Sequence, residues 1–315
     1  MRLASVSVDL DPLRCYYQIH GLGPCPEELT EIVLDRALPR LLELFDRYQL
    51  KSTLFVVGSD AKAGSLSRAR LQEAAQAGHE LGNHSFSHPY DLARQPRSLI
   101  EREIADCHAV LRSLHPQGRP PLGFRAPGYE LSPDLWDVVE AQGYRYDTSL
   151  MPCPPYYLAK LLAMGVIALR GRQSASVISK PQSQLGPTQP YRPDPQQPWR
   201  RGQAGMVELP VAVTKLLRLP AIGTFLLLSP HLRSLLLSGM ERQPFFNLEL
   251  HGIDLIDAET DGIPEALRQR QPDLRVPLAQ KMAALSETLA FVRARAEMVP
   301  LYQIAEQVQR RGQLD

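Results

Sequence analysis

Gly82-Asn83-His84-Ser85-Phe86-Ser87-His88-Pro89 is the stretch from which the rest of the chain can be read. Its two histidines stand four residues apart, with small side chains between them. On a helical turn that spacing puts both imidazoles on one face, where they can converge on one ion. Neutral imidazole is the commonest metal ligand, so two of them in one turn supply half of a zinc-type site. Two surface histidines at a helix start would look the same, and the flanking chain has to decide between the two readings.

Upstream, residues 52–58 read as a buried strand. Residues 3–8 alternate and are rich in β-branched side chains, which also makes a strand. That first strand ends in Asp9-Leu10-Asp11-Pro12. Residues two apart on a strand face one side, so Asp9 and Asp11 project together. Like charges held close resist joint ionisation unless a cation or a base role separates them. A polar strand-to-loop turn explains the same residues. Between these strands, residues 27–48 carry an apolar stripe of helical period, interrupted or kinked at Pro39. Residues 65–76 form another helix, closed by Gly78.

Downstream, residues 99–114 are an amphipathic helix. Residues 123–129 make a short strand and a tight turn, and Ser132-Pro133 opens a helix. Residues 144–149 form a strand carrying Asp147, and residues 206–213 form a further strand. Residues 245–251 are a late strand ending in His251, with Glu249 on the same face. Residues 278–295 are amphipathic, and a last helix ends the chain. This alternation predicts a parallel sheet covered by helices. In parallel α/β barrels the C-terminal strand ends carry the site, and Asp9, Asp11, His84, His88, Arg125, Asp147 and His251 all fall there.

The chain has 315 residues, enough for one large α/β domain or two small ones. Its formal net charge is +1, which argues against an electrostatic nucleic-acid binder. Four scattered cysteines form no Cys-x-x-Cys, so neither a zinc ribbon nor a redox pair is expected. Reduced thiols and an N-terminus without an apolar signal core predict a cytoplasmic protein. No apolar run is long and unbroken enough to span a bilayer. Residues 151–205 are rich in proline and read as an insertion packed over one end of the domain. Within it, Tyr191-Arg192-Pro193 and Trp199-Arg200 read either as ligand contacts or as an ordinary loop covering apolar surface. Residues 216–237 are unusually apolar. They are either core and lid, or a surface for a lipid interface or a lipid-linked substrate, with peripheral contact at the inner face of the membrane.

In order and spacing these motifs resemble the polysaccharide deacetylase family with its NodB homology domain, carbohydrate esterase family four. Val8-Asp9-Leu10-Asp11 resembles its first motif, the 82–89 stretch its second, Phe124-Arg125-Ala126-Pro127-Gly128 its third and Leu250-His251 its last. The resemblance implies an α/β fold, a distorted TIM-like (β/α) barrel of the NodB type, as one domain over 1–315. It implies a divalent metal on Asp11, His84 and His88, zinc first, with cobalt, nickel, iron or manganese as alternatives. Asp9 would then be the general base, held by Arg125, and His251 the general acid. The backbone N–H of Gly128 would face the oxyanion, with Tyr129 beside the substrate. Ser85 would brace the metal loop.

Three departures from the family pattern stand out. Leu10 separates the two aspartates that are usually adjacent, which resembles the branch containing peptidoglycan-type and lipid-linked aminoarabinose-type deformylases and cyclic-amide hydrolases. The usual Asp-Trp pair of the fourth motif is missing, so Asp147 is either a partial substitute or a strand-end cap, and Glu249 is a second candidate to orient His251. Gly128-Tyr129 reverses the common order in the third motif. The implied reaction removes an acetyl or formyl group from an amino sugar, free or lipid-linked. The alternatives are a cyclic-amide hydrolase using the same site and an inactive, glycan-binding barrel.

Overall fold

The first strand sets the layering. In the computed structural model, which describes residues 2–241 and 243–311, β1 (Leu3–Asp9) is buried along its whole length. Its even positions, Ala4, Val6 and Val8, pack outward into the large core shared with the surrounding helices. Leu3 packs instead with Phe55, Tyr146, Val207 and Phe245, a cluster closed by Leu301, Ile304 and Val308 of the last helix, Leu301–Arg311. Ser7 and Asp9 follow Leu3 on the same face by strand alternation. The interior therefore runs from apolar at the N-terminal strand ends to polar at the C-terminal ends.

The other strands are β2 (Thr53–Val56), β3 (Glu80–Asn83), β4 (Gly123–Phe124), β5 (Tyr146–Asp147), β6 (Pro193–Asp194), β7 (Gln197–Arg201), β8 (Val207–Glu208), β9 (Phe245–His251) and β10 (Glu297–Met298). All but β6 and β7 form one parallel sheet, in the order β9-β1-β2-β3-β4-β5-β8, with β10 beside the start of β1. β1 and β9 pair from Leu3↔Phe245 to Asp9↔His251. The gap between β8 and β9 is bridged by irregular chain. The Ala212 N–H donates to the Asn247 carbonyl, and the Glu249 N–H donates to the Ala221 carbonyl. This curled parallel sheet with outer helices is a distorted (β/α) barrel.

Local chemistry explains the helix starts. The Ser65 hydroxyl accepts from the Arg68 N–H, and the Ser132 hydroxyl from the Leu135 N–H, so each caps a helix. Gly82 on β3 lets Phe55 lie against the backbone, since a Cβ there would meet its ring at 2.5 Å. Phe55 in turn carries the Arg125 guanidinium over its ring, 4.4 Å from the centroid.

Three expectations need correction. His84 and His88 are not on a helical turn; β3 ends at Asn83 and the chain loops through both. Helix 27–48 is broken into a 3-10 turn, a π turn at Val33–Ala37 and the α-helix Leu38–Arg47, with the irregularity just before Pro39. The strand at 206–213 reduces to Val207–Glu208. Residues 151–205, read as an insertion, contain the sixteen-residue helix Pro154–Leu169 and the antiparallel β6–β7 pair. Residues 216–237 fall into Gly223–Leu228 and most of Pro230–Met240, whose Leu226, Leu227, Leu236 and Leu237 are core. Tyr191 and Trp199 are buried in a satellite core, which settles them as cover for apolar surface.

Candidate metal centre and active site

Backbone strain shapes the histidine loop. Ser85 and His88 both adopt positive φ, at 63° and 64°. This costs energy for residues other than glycine and persists only where surrounding bonds over-determine it. Those bonds are present. The Ser85 N–H donates to Asn83 Oδ1, and its hydroxyl accepts from the His88 N–H at 3.0 Å. The backbone N–H and hydroxyl of Ser87 both donate to Glu103. The loop thereby brings the two imidazoles to 4.8 Å between centroids.

His84 Nδ1 lies 2.7 Å from the Arg125 carbonyl, so it carries the proton and leaves Nε2 free as a ligand atom. His88 Nδ1 faces Cys15 Sγ at 3.4 Å. Asp11 Oδ1 lies 3.1 Å from His84 Nε2 and 3.3 Å from His88 Nε2. Asp11 Oδ1 and His88 Nε2 are buried with no hydrogen-bond partner, which is costly unless something else satisfies them. Two imidazoles and a carboxylate, with ligand atoms all within 4.8 Å of one another, match the donor set of a divalent metal such as zinc. Burial works against the Asp11 carboxylate, but His88 and His84 outweigh it and hold it well below the usual carboxylate range.

Asp9 sits beside this cluster, with Oδ2 3.8 Å from His84 Nε2. Its Oδ1 accepts from Arg125 Nη1 at 2.5 Å. Arg125 is fully buried and fully used: Nε donates to the Thr148 carbonyl, and Nη2 to Ser7 Oγ and Thr148 Oγ1. Asn247 bonds to both Ser7 and Thr148 and completes the cage. Burial raises the Asp9 carboxyl, but Arg125, then His84 and His251, outweigh it and leave it below its ordinary value.

His251 Nε2 lies 4.0 Å from Asp9 Oδ2. The Tyr129 hydroxyl bonds to Glu249 and lies 3.1 Å from His251 Nε2. Burial disfavours the imidazolium of His251, but the facing carboxylates of Glu249 and Asp9 push its pKa up to about 9. A group charged at neutral pH can give a proton to a leaving group. Asp9, Glu249 and His251 also gather like metal ligands, but Arg125, 3.5 Å from Glu249, already supplies the cation there.

Gly128 adopts φ 70° at the turn after β4 and lines the same cavity as the cluster. Asp147 joins none of these contacts. Its oxygens accept from the Ser149 N–H and hydroxyl, while Ser149 Oγ accepts from the Ala126 N–H. It is a strand-end cap that supports the Arg125 loop.

The groups open into a cavity of about 670 Å³, in the middle of the ordinary range for ligand pockets, roughly 300–1,000 Å³. Asp9, Asp11, His84, His88 and His251 line it together with apolar side chains such as Ile222, Phe225, Met164 and Ile167. Sequence reasoning missed two parts of this site. Ser7, Thr148 and Asn247 carried no motif. The helix Pro154–Leu169 was masked by Pro154-Pro155, although proline is favoured in a first helical turn and the apolar period follows at once.

The polysaccharide deacetylase family model matches residues 29–146, a span that includes His84, His88 and Arg125. A peptidoglycan deacetylase from Helicobacter pylori is 28% identical over 163 residues, which is 50% of this chain and 53% of that protein. The chain thus spans about half the length of the curated relatives it matches. A solved structure from Mycobacterium smegmatis, assigned to the polysaccharide deacetylases, aligns over 99% of this chain and 91% of that one, with 19% identity and a TM-score of 0.63. One from Pseudomonas aeruginosa PAO1, assigned likewise, aligns over 98% and 91%, with 16% identity and a TM-score of 0.58. Over residues 29–146 the chain matches the polysaccharide deacetylase family model, and the barrel and the order of the motifs agree with that match.

Proposed function

We propose that this chain is a metal-dependent amidohydrolase that removes the N-acyl group, acetyl first, from an amino sugar. The observation that carries the reading is the adjacency of Asp11, His84 and His88 to an Asp9 clamped between Arg125 and His251, inside one cavity.

Asp11, His84 and His88 would hold the cation, zinc first by the nitrogen and oxygen character of the set. When bound, the metal supplies a Lewis acid that polarises the acyl carbonyl and makes water a better nucleophile. Asp9 takes the proton of the attacking water, and Arg125 fixes its direction. The water oxygen forms a bond to the carbonyl carbon, and the Gly128 N–H faces the resulting oxyanion. His251 protonates the sugar nitrogen as the C–N bond breaks, giving a carboxylate and a free amine. Tyr129 and Glu249 orient His251, and Ser85 braces the histidine loop.

A formyl group is served by the same chemistry. The apolar cavity wall supports a lipid-linked sugar as the finer substrate. The four free thiols support a reducing, cytoplasmic compartment. Among the described residues no helix is long and apolar enough to cross a membrane. The test is release of acetate or formate from acylated amino sugars, free and lipid-linked, by protein stripped of metal and then reloaded. Release that depends on the added metal is expected. Unchanged release from stripped protein, or none from any acylated sugar after reloading, overturns the reading.

A further inference from the structure

We propose that the outward face of the helix Pro154–Leu169 docks the protein on an anionic lipid membrane. The helix is apolar nearly all round, a composition that belongs in a core or a bilayer, yet Tyr157 is its one buried residue. Its inner face, including Lys160, Ala163, Met164 and Ile167, lines the cavity. Its outer face carries Leu158, Leu161, Leu162 and Leu169, exposed by 60%, 54%, 65% and 89%. Helical spacing gathers these four into one continuous stripe.

Both ends of the stripe extend the surface. At the N-terminal end, Arg218 Nη1 donates to the carbonyls of Pro152, Gln184 and Gly186. That contact ties Arg218 to the chain just before the helix, and the two residues preceding it, Leu216 and Leu217, are exposed by 95% and 62%. At the C-terminal end, Arg170 shares a surface hollow with Arg268, Arg270 and Arg275, against one acid, Glu265. Arg172 and Arg170 both stand close enough to Arg270 to repel its charge. The chain as a whole is nearly balanced, at 35 basic and 34 acidic residues, so this is a local excess of positive charge. An apolar helical face flanked by arginines fits a surface whose interior is hydrocarbon and whose headgroups are anionic. Because Arg170 also lines the active-site cavity, the seat places the cavity beside the lipid.

The test uses the full chain and vesicles of phosphatidylcholine with or without phosphatidylglycerol, with no substrate present. Co-sedimentation with the anionic vesicles is expected, weakened by high salt and by omission of phosphatidylglycerol. The double variant Leu161→Asp/Leu162→Asp should lower vesicle affinity by about tenfold or more. A Leu162→Trp reporter should shift its emission to the blue on vesicles and be quenched by brominated acyl chains. Absence of vesicle binding, or equal binding by the Asp variant, overturns the proposal. So does a dimer of this chain, in vesicle-free solution, that the Asp variant dissolves while vesicles stay unbound. The inference goes beyond the deacylase reading, and the vesicle assay stands or falls without turnover.

Discussion

At the floor of the cavity Arg125 is completely buried and every one of its nitrogens donates a hydrogen bond, whereas on the helix above it Leu162 and Leu169 stand largely in solvent. The floor takes charge out of water and answers it side chain by side chain. The helix leaves apolar surface in water and answers it with nothing among the described residues. A buried ion pair is retained at a desolvation cost that packed hydrocarbon would avoid, so its presence points to chemistry. An unmet apolar stripe likewise points outside the molecule. The two regions face each other across one cavity, one finished within the fold and one waiting for a surface.

The largest effect expected on the finished side comes from His88→Ala. Removing one of two imidazoles should strip the metal and end turnover, as read by metal analysis and acetate release together. A metal-free variant with full activity would break the assignment of the cluster. Next is Asp9→Asn, which leaves Asp11, His84 and His88 in place. Metal content should persist while the rate falls by roughly 10²–10⁴, the usual share of a general base. An unaltered rate would exclude Asp9 from that role.

A smaller effect lies lower in the scaffold, at His79. Its Nδ1 accepts from the Ser52 N–H at 3.1 Å, and burial, with Lys51 nearby, lowers its pKa to about 4. The unfolded chain, with His79 near its ordinary 6.5, takes up the proton first as pH falls. The stabilisation is therefore complete above about pH 6.5 and is lost as pH falls from there to about 4. It amounts to roughly 2–3 kcal/mol. Denaturant titrations at pH 7 and pH 5 should show a loss of roughly 2 kcal/mol, the part of it that falls in this window, in the native chain and a flatter profile in His79→Leu. Equal pH dependence in both removes His79 as the cause.

The smallest effect belongs to the helix. Leu161→Asp/Leu162→Asp should change neither the melting midpoint beyond about 0.5 kcal/mol of stability nor turnover of a soluble substrate. A large loss of stability would show that these leucines are packed in solution, and the contrast between the two regions would disappear.

Much of the floor was legible because its chemistry is local in sequence. Asp9 and Asp11 sit at a strand end, His84 and His88 share one loop, and Glu249 and His251 alternate on one strand, so pattern and period sufficed. The cage around Arg125 was not legible. Ser7, Thr148 and Asn247 are ordinary polar residues whose value comes from meeting across three strands. The histidine spacing suggested a helix, and the chain instead uses positive φ at Ser85 and His88 to reach the same convergence. The helix Pro154–Leu169 was hidden by its own prolines, and the neighbouring leucine-rich 216–237 stretch drew attention as the apolar surface, although four of its ten leucines turned out to be core.

Asp9 and His251 are direct cross-strand partners in the β1–β9 ladder. The spacing between the proposed proton acceptor and the proposed proton donor is thus written into main-chain pairing, not into any connecting segment. The excursion at residues 151–205, which lies outside that ladder, can lengthen, shorten or change partner while the pair keeps its distance. A scaffold of this kind can trade one substrate for another by rewriting its excursions alone.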